Sequence, residues 1–307
     1  MTGLAGDDRL ARAALTYLAE PADPMLGDLL QVLAPAEVLA AIGSGSVPAD
    51  SAGGLAPYRA SRLASALARW RDRLPGIPSD ALDRHAGRGI RLVCPGDPGW
   101  PRQLDDLGAA RPYALWARGT TDLRSMCAQS VAIIGARAAT AYGKHVCGQV
   151  AADLAERGWT VVSGGAFGID ACAHQAALAA GRPTVAVLAC GPDIAYPAKH
   201  RGLLDAIAAC GAVISEWPPG TRPARSRFLL RNRIVTALVS GTVVIETGVR
   251  SGTMAAARQA EELGRPVMAV PGPVTSATSA GCHELIRELS AICVTSAADI
   301  IREIPPF

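Results

Sequence analysis

Five arginines and one phenylalanine lie within twelve residues of this 307-residue chain, between positions 222 and 233. Guanidinium groups donate paired hydrogen bonds to phosphate oxygens, and the ring of Phe228 can stack on a base. A solvated basic face is the alternative interpretation. It accounts for neither Phe228 nor Asn232, and the apolar run 234–239 that follows opposes it. The segment therefore indicates nucleic-acid contact, with Arg225, Phe228, Arg231, Asn232 and Arg233 as candidates.

A glycine-rich loop at residues 163–170, SGGAFGID, follows a β-rich run and precedes a helical pattern. Glycines let backbone N–H groups approach an anion closely, and the N-terminus of the following helix adds a partial positive charge. A tight strand-to-helix turn capped by Asp170 is the alternative. Because a basic segment accompanies the loop, we favour phosphate contact. The candidates in this loop are Ser163, Gly164, Gly165, Phe167 and Gly168.

Further basic or small residues follow other predicted strands, where ligands of open α/β sheets bind. These candidate phosphate contacts are Arg137, Lys144, Lys199, Ser251 and Gly252. The first of these strands runs into residues 135–143, GARAATAYG, which lack the second and third glycines of the dinucleotide fingerprint. No nucleotide cofactor is therefore expected.

Glu246 ends another predicted strand and is the one carboxylate that suggests catalysis. No second acid accompanies it, so we interpret it as the partner of a nearby arginine or as a hydrogen-bond acceptor for the glycine loops. The five histidines show neither metal-ligand spacing nor an evident nucleophile. We expect no catalytic residue and no metal.

Composition limits the possible functions. The net charge is only +3, so a nucleic-acid site must come from local clustering of charge. The eight cysteines form no C-x-x-C pair and are interpreted as free thiols. No apolar run reaches the roughly 18–20 residues that cross a bilayer, and the N-terminal sequence lacks a basic-then-apolar signal. We expect a cytoplasmic protein with no membrane partner.

The pattern of apolar residues divides the chain near residue 80. Helical spacing over 10–41 and 58–74, with a loop at 43–57 and a link at 74–78, predicts a small helical domain over residues 1–80. Over residues 81–307, short β-rich runs alternate with Ala-rich helical patterns, which predicts a doubly wound, mainly parallel sheet. The predicted strands are 131–135, 160–163, 184–188, 212–215, 242–246, 266–270 and 292–295, with possible edge strands at 90–94 and 113–117.

Seven blocks of this sequence, in order, resemble the DNA-processing protein A family across about two-thirds of the chain. The first three are Gly-x-Arg-x-x-Thr-x-Tyr-Gly at 135–143, Ser-Gly-x-Ala-x-Gly-Ile-Asp at 163–170 with His174, and Tyr196-Pro197. The others are Ser215-Glu216, Arg231-Asn232-Arg233, Ser251-Gly252 and Pro271-Gly272.

The resemblance implies an extended Rossmann-like domain that binds single-stranded DNA without known catalysis, forms a homodimer and helps load the RecA recombinase in natural transformation or related recombination. It implies that Arg137 and the 164–168 loop hold phosphates, that Arg225 and Phe228 line the DNA pocket, and that residues 231–233 brace its floor. Phe167 departs from the family, which often has a basic residue there. Four residues are expected to support the site: Gly135, Asp170, Glu246 and Gly272. The dimer surface is expected at His283, Ile286 and Ile292.

Two other functions remain open at this point. A phosphoribohydrolase of the same fold group would use Glu246 as acid or nucleophile, but its signature P-G-G-x-G-T-x-x-E is missing. A nicotinamide-dependent oxidoreductase would need the glycine spacing that residues 135–143 lack.

Overall fold

A nine-stranded sheet forms the centre of the protein. The structure is a computed structural model that describes residues 7–48, 60–78, 80–119 and 122–304. The strands stand in the order β1-β2-β6-β5-β4-β3-β7-β8-β9. Their bounds are β1 Ile90–Val93, β2 Leu115–Gly119, β3 Ser130–Ile134, β4 Thr160–Ser163, β5 Thr184–Val187, β6 Ala212–Ser215, β7 Gly241–Val244, β8 Val267–Ala269 and β9 Ile292–Cys293.

Helices connect these strands and precede them. Their bounds are α1 Asp8–Leu18, α2 Pro24–Val32, α3 Pro35–Ser44, α4 Ala60–Arg71, α5 Ala81–Ala86, α6 Leu123–Ala128, α7 Ala141–Glu156, α8 Ile169–Ala179, α9 Arg201–Cys210, α10 Arg225–Ala237, α11 Gly252–Glu262, α12 Ala280–Glu288 and α13 Ala297–Glu303. Side chains cap the N-termini of several helices. Thr140, for example, caps α7 by accepting the N–H of Gly143 at 3.1 Å. No helix in the described ranges is both long and apolar enough to cross a membrane.

The sheet confirms the predicted fold class. In the order of the sheet, the seven strands β6-β5-β4-β3-β7-β8-β9 pair in parallel. Strands β1 and β2 are antiparallel additions at the β6 edge. Helices cover both faces: α6, α10, α11 and α12 share one core cluster, and α7, α8 and α13 share another. Neighbouring residues such as Ala132 and Ile133 pack into opposite clusters because side chains alternate along a strand.

The N-terminal helices α1 to α4 have their own apolar cluster. Tyr113 also belongs to this cluster and joins it to the start of β2, where its hydroxyl donates to the carbonyl of Glu20 at 3.1 Å. Trp116 on β2 donates its indole N–H to Thr16 on α1 at 3.1 Å. The helices therefore pack directly against the antiparallel edge of the sheet. The domain boundary near residue 80 stays a prediction.

The loop predicted at 43–57 begins later than expected. Gly43 and Ser44 are still helical, and the residue after α3 is Gly45, whose φ of +77° suits a glycine C-cap. Residues 49–57 of that prediction lie outside the described residues. The link at 74–78 contains a single 3₁₀ turn at Leu74–Gly76.

Candidate nucleic-acid interface

A pocket of about 160 Å³ opens beyond the carboxyl ends of β3, β4 and β5, beside α10. This is the edge of a parallel sheet where ligands of open α/β proteins bind. The pocket is lined by Arg137, Gly164, Ala166, Phe167, Leu188, Ala189, Cys190, Tyr196, Pro197, Ala198 and Phe228. The structure therefore brings together candidate residues from the first strand end, the glycine loop and the basic segment.

Three aromatic rings and one guanidinium group are among the side chains that line this pocket. The rings of Tyr196 and Phe228 lie 5.5 Å apart between centroids. The guanidinium carbon of Arg137 lies 5.0 Å from the centroid of Phe228, within cation–π distance. The third ring, Phe167, is 42% exposed. Flat apolar rings beside an exposed cation suit a base and its phosphate.

Tyr196 is a pocket residue that the sequence reasoning did not nominate for a site. It lies in the connection that follows β5, as the candidate Lys199 does, so the rule that ligands bind beyond strand ends could have included it. The peptide bond between Tyr196 and Pro197 is cis.

The glycine loop has the backbone geometry that its sequence predicts. Gly165 and Gly168 have φ values of +72° and +80°, which favour glycine. A Cβ on Gly168 would lie 2.2 Å from the carbonyl oxygen of Ala136. The carbonyl of Gly165 contacts Nδ1 of His200 at 3.0 Å, and the His200 ring meets Phe167 edge to face at 4.6 Å. His200 therefore fixes both the loop and the exposed ring.

The buried side of the loop rests on Arg231. A Cβ on Gly164 would lie 2.1 Å from the Arg231 guanidinium, so only glycine allows the two to stack this closely. Arg231 donates to the carbonyl of Val187 at the end of β5. Asp170 is also buried, and its carboxylate accepts the N–H of Ala166 at 3.3 Å. Burial raises the pKa of Asp170, and the charge of Arg231 opposes that rise.

The arginine-rich segment does not act as one basic face. Arg222 and Arg225 are exposed, whereas Arg231 and Arg233 are buried. Arg233 pairs with buried Glu216 at 2.6 Å. The fifth, Arg227, pairs with Glu20 from the N-terminal helical region. Position along α10 explains the division, because Arg222 precedes the helix and Arg225 lies in its exposed first turn, whereas Arg231 and Arg233 lie in its buried second half.

Three candidates for direct DNA contact need correction because their side chains are buried. Ser163 donates to the carbonyl of Ile133 at 2.6 Å, inside the sheet. Arg231 and Arg233 use their guanidinium groups on protein partners. We place these three side chains in the support of the site. The predicted floor of the pocket included Arg231 and Arg233 but not Ser163.

The other candidate contacts lie around the pocket rather than in it. Lys144 is exposed in the first turn of α7, and Lys199 is exposed next to the pocket residue Ala198. Ser251 caps α11 by accepting the N–H of Met254 at 3.1 Å. Asn232 donates to the carbonyl of Gly252 at 3.1 Å and so joins α10 to α11.

Glu246 is a buried structural acceptor. Its two oxygens accept the backbone N–H of Thr140 at 2.9 Å and the Thr140 hydroxyl at 2.5 Å, and Thr278 donates to it at 3.2 Å. Gly143 leaves room for it, because a Cβ there would lie 2.2 Å from Oε2. Among the described residues it has no arginine partner, so the loop-acceptor interpretation fits and the arginine interpretation does not.

The remaining supporting and dimer candidates are spread along the same edge and beyond it. Gly135 packs against Ile169, and a Cβ on Gly272 would lie 2.2 Å from the Ser279 hydroxyl. His283 contacts the carbonyl of Gly272 at 3.0 Å through Nε2. Ile286 is half-buried, and Ile292 is exposed on the short edge strand β9.

His174 is packed rather than exposed to a ligand. The Thr184 hydroxyl donates a hydrogen bond to the carbonyl of Val161 at 2.6 Å, so it accepts one from the Nδ1–H of His174 at 2.8 Å. Burial, followed by the charge of Arg231, lowers the pKa of His174 to about 3. The ring is therefore neutral at physiological pH.

All eight cysteines are free thiols, and two of them meet between α7 and α8. The Cys147 thiol lies 3.5 Å from the carbonyl oxygen of Ile169, and the protonated Cys172 thiol donates to that of Lys144 at 3.2 Å. When Cys172 loses its proton, the Cys147 thiol donates to its sulfur instead. The hydrogen bond from Cys147 lowers the pKa of Cys172 to about 7 despite partial burial, and Lys144 lowers it further. We therefore expect part of Cys172 to be thiolate near neutral pH.

We expect Cys172 to be alkylated by iodoacetamide at a rate that rises with pH and reaches half its maximum near pH 7, since the thiolate is the nucleophile. Mass spectrometry of tryptic peptides measures the rate. Cys147→Ala should slow the reaction at pH 7, because it removes the thiol hydrogen bond that lowers the pKa of Cys172. Fast alkylation that persists at another cysteine in Cys172→Ser would assign the reactive thiol elsewhere.

Comparisons with known proteins agree with this geometry. The family described as DNA recombination-mediator protein A matches residues 91–305. The DNA processing protein DprA of Mycobacterium tuberculosis is 46% identical over 301 residues, which cover 95% of this chain and 74% of that protein. The Bacillus subtilis DprA is 33% identical over 247 residues, covering 80% of this chain and 81% of that protein.

Solved structures give the same result for the fold. DprA from Streptococcus pneumoniae superposes with a TM-score of 0.76 at 28% identity, covering 97% of this chain and 98% of that one. DNA processing protein A from Helicobacter pylori, described for its single-stranded DNA binding mode, has a TM-score of 0.61 at 32% identity and covers 66% of this chain and 91% of that one.

Proposed function

The chain belongs to the DNA recombination-mediator protein A family, and from this premise we propose that it binds single-stranded DNA across the carboxyl ends of β3, β4 and β5. One observation carries the proposal. The pocket combines the rings of Phe167, Tyr196 and Phe228 with the exposed guanidinium of Arg137. A single strand has exposed bases that can stack on these rings and backbone phosphates that can pair with this cation. The bases of a duplex are already stacked on one another.

The strand's path follows from the same residues. A base enters the ring-lined pocket, while Arg137 and the N–H groups of the 164–168 loop take the adjacent phosphates. Lys199, Arg225 and Lys144 are exposed cations that extend this track. Because several phosphates are neutralised, affinity should fall with salt and should be higher for single strands than for duplex.

We expect Arg137→Ala to weaken binding to a poly-dT oligonucleotide about five- to tenfold, because one charge-assisted phosphate contact is lost. The log–log dependence of affinity on salt should lose about 0.7 of its slope. Gel shifts at several salt concentrations measure both. Arg302→Ala, at an exposed arginine of α13, is the matched control. Equal binding by wild type and Arg137→Ala would contradict the site assignment.

The wider role is proposed from the family. We propose that the protein protects single strands in the cytoplasm and helps load the RecA recombinase during natural transformation or recombination. We also propose a homodimer through His283, Ile286 and Ile292. The exposed edge strand β9 supports that surface, since an unpaired strand edge can join a second copy.

We propose binding without catalysis, and the geometry of Glu246 supports this over the phosphoribohydrolase alternative. Both its oxygens are occupied by Thr140 and Thr278, and the side chain is buried away from the pocket. A hydrolase would need a carboxylate at the reacting carbon. Release of free base from nucleoside monophosphates by the purified protein would overturn the binding proposal.

A further inference from the structure

Three hydrogen-bond donors beside the candidate DNA site converge on one carboxylate, that of Glu20. The indole Nε1 of Trp217 donates to Oε2 at 2.9 Å. Arg227 donates to the same oxygen from Nε at 3.1 Å and to Oε1 from its second terminal nitrogen. Its remaining nitrogen donates to the carbonyl of Arg222 at 2.7 Å. Arg227 and Trp217 thus form a cradle for an anion.

The cradle is largely buried, whereas the carboxylate that occupies it is more than half exposed. Trp217 is only 2% exposed, and the Arg227 guanidinium carbon lies 5.6 Å from the centre of its ring. The Glu20 side chain is 55% exposed. Burial acts to raise the pKa of Glu20, but the hydrogen bonds from Arg227 and Trp217 outweigh it and hold that pKa below its usual value. Glu20 is therefore an anion held by fixed donors.

The cradle lies next to the pocket. Arg227 directly precedes Phe228 in the first turn of α10, where Ala224 provides no side-chain cap and the helix end carries partial positive charge. Burial raises the pKa of the pocket thiol Cys190 to about 12, and the charges of Arg231 and Arg227 oppose that rise. The cradle therefore borders the pocket at Cys190 and at the first turn of α10.

We propose that Arg227 and Trp217 form a phosphate subsite for single-stranded DNA, and that Glu20 fills it until a backbone phosphate replaces the carboxylate. The proposal rests on the proposed function. A phosphate offers the same pair of oxygens to the guanidinium fork and accepts the indole N–H as well. Glu20 then swings into solvent while the N-terminal helices keep their packing on β2. Glu20 thus acts as a built-in competitor of the strand.

The test compares Glu20→Ala and Glu20→Gln with wild type for binding a fluorescent poly-dT oligonucleotide at several salt concentrations. We expect Glu20→Ala to raise affinity about two- to fivefold at low salt, because a half-exposed ion pair no longer has to be broken. The salt slope should steepen by up to about 0.7. Glu20→Gln should give a smaller gain, since the neutral amide can keep the indole hydrogen bond.

Arg227→Ala identifies the group that Glu20 competes for. As a single variant it should lower the affinity for poly-dT and the salt slope relative to wild type. In the double variant with Glu20→Ala it should cancel the gain in affinity that Glu20→Ala gives. Asp72→Asn is the matched control, because it removes an exposed negative charge from the same N-terminal region but not the carboxylate that Trp217 and Arg227 bind. Its effect on affinity should be much smaller than that of Glu20→Ala.

Thermal unfolding of each variant shows whether it is folded. If Glu20→Ala does not fold, the binding of Glu20→Gln is the test instead. Folded Glu20 variants that bind less tightly than wild type, or equally, would overturn the subsite and leave Glu20 as a structural contact. A gain equalled by Asp72→Asn would overturn it too, as a general charge effect. Failure of wild type to bind poly-dT would instead overturn the proposed function, so the two failures are distinguishable.

Discussion

Replacing Arg233 by alanine is expected to lower the free energy of unfolding by about 3–5 kcal/mol, which is the cost of breaking a buried ion pair from one side. Arg233 on α10 and Glu216 after β6 meet at 2.6 Å, and their side chains are 8% and 4% exposed. Alanine would leave the carboxylate buried without its partner, and its desolvation would no longer be offset.

Urea unfolding measures this loss. Arg225→Ala is the matched control, since it removes an exposed arginine from the first turn of the same helix and should change stability by less than about 0.5 kcal/mol. Adding Glu216→Gln to Arg233→Ala should recover part of the stability, because no charge is then buried. Equal losses from Arg233→Ala and Arg225→Ala would show that the pair contributes little.

The loss should also depend on pH. Burial raises the pKa of Glu216 in the folded protein, and Arg233 opposes that rise. Removing Arg233 raises this pKa further above its value in the unfolded chain, so the folded state binds a proton more readily. Stability of such a state is greatest at low pH and falls as the pH rises through the folded pKa. Arg233→Ala should therefore be less destabilised relative to wild type at pH 5 than at pH 8.

The sheet could be predicted from sequence because its strands are buried on both faces. A strand such as β3 then appears as a short, continuous apolar run, here residues 131–134, between polar or glycine-containing segments. The glycine loop was predictable for a related reason, since positive φ at Gly165 and Gly168 limits those positions to glycine. Both signals are local in the chain.

Which arginines are buried or paired, and which are exposed, could not be predicted, because this depends on contacts between distant parts of the chain. Arg227 and Glu20 are 207 positions apart. Arg231 is buried because Gly164 leaves space for its guanidinium, and Arg233 because Glu216 stands at the end of β6. Local spacing shows that the segment is basic, but not which cations remain available to a ligand.

The pocket shows the same limit. Phe228 was a candidate because it interrupts a basic run, whereas Tyr196 lies in a segment with no such pattern. Their rings meet at 5.5 Å only because the loop after β5 folds over the start of α10. Packing of these two elements, rather than composition, decides that the site is lined by rings as well as by cations.

Phe228→Ala is expected to weaken binding to poly-dT by about 1–3 kcal/mol, which is five- to more than a hundredfold, because one stacking surface for a base is lost. The salt slope should hardly change, since no charge is removed. This separates Phe228→Ala from Arg137→Ala, which should change the slope. The two effects should not add in a double variant, because Arg137 lies over the Phe228 ring at 5.0 Å and depends on it for position.

Two further substitutions at the same position decide what the ring contributes. Phe228→Tyr keeps a flat face and should retain most of the affinity, whereas Phe228→Leu keeps apolar volume without a flat face and should lose nearly as much as alanine. Fluorescence anisotropy with a labelled oligonucleotide gives each affinity, and thermal unfolding confirms that the half-buried site still folds. Wild-type affinity in Phe228→Leu would mean that apolar burial, and not stacking, holds the base. Wild-type affinity in Phe228→Ala would remove this pocket from the path of the strand.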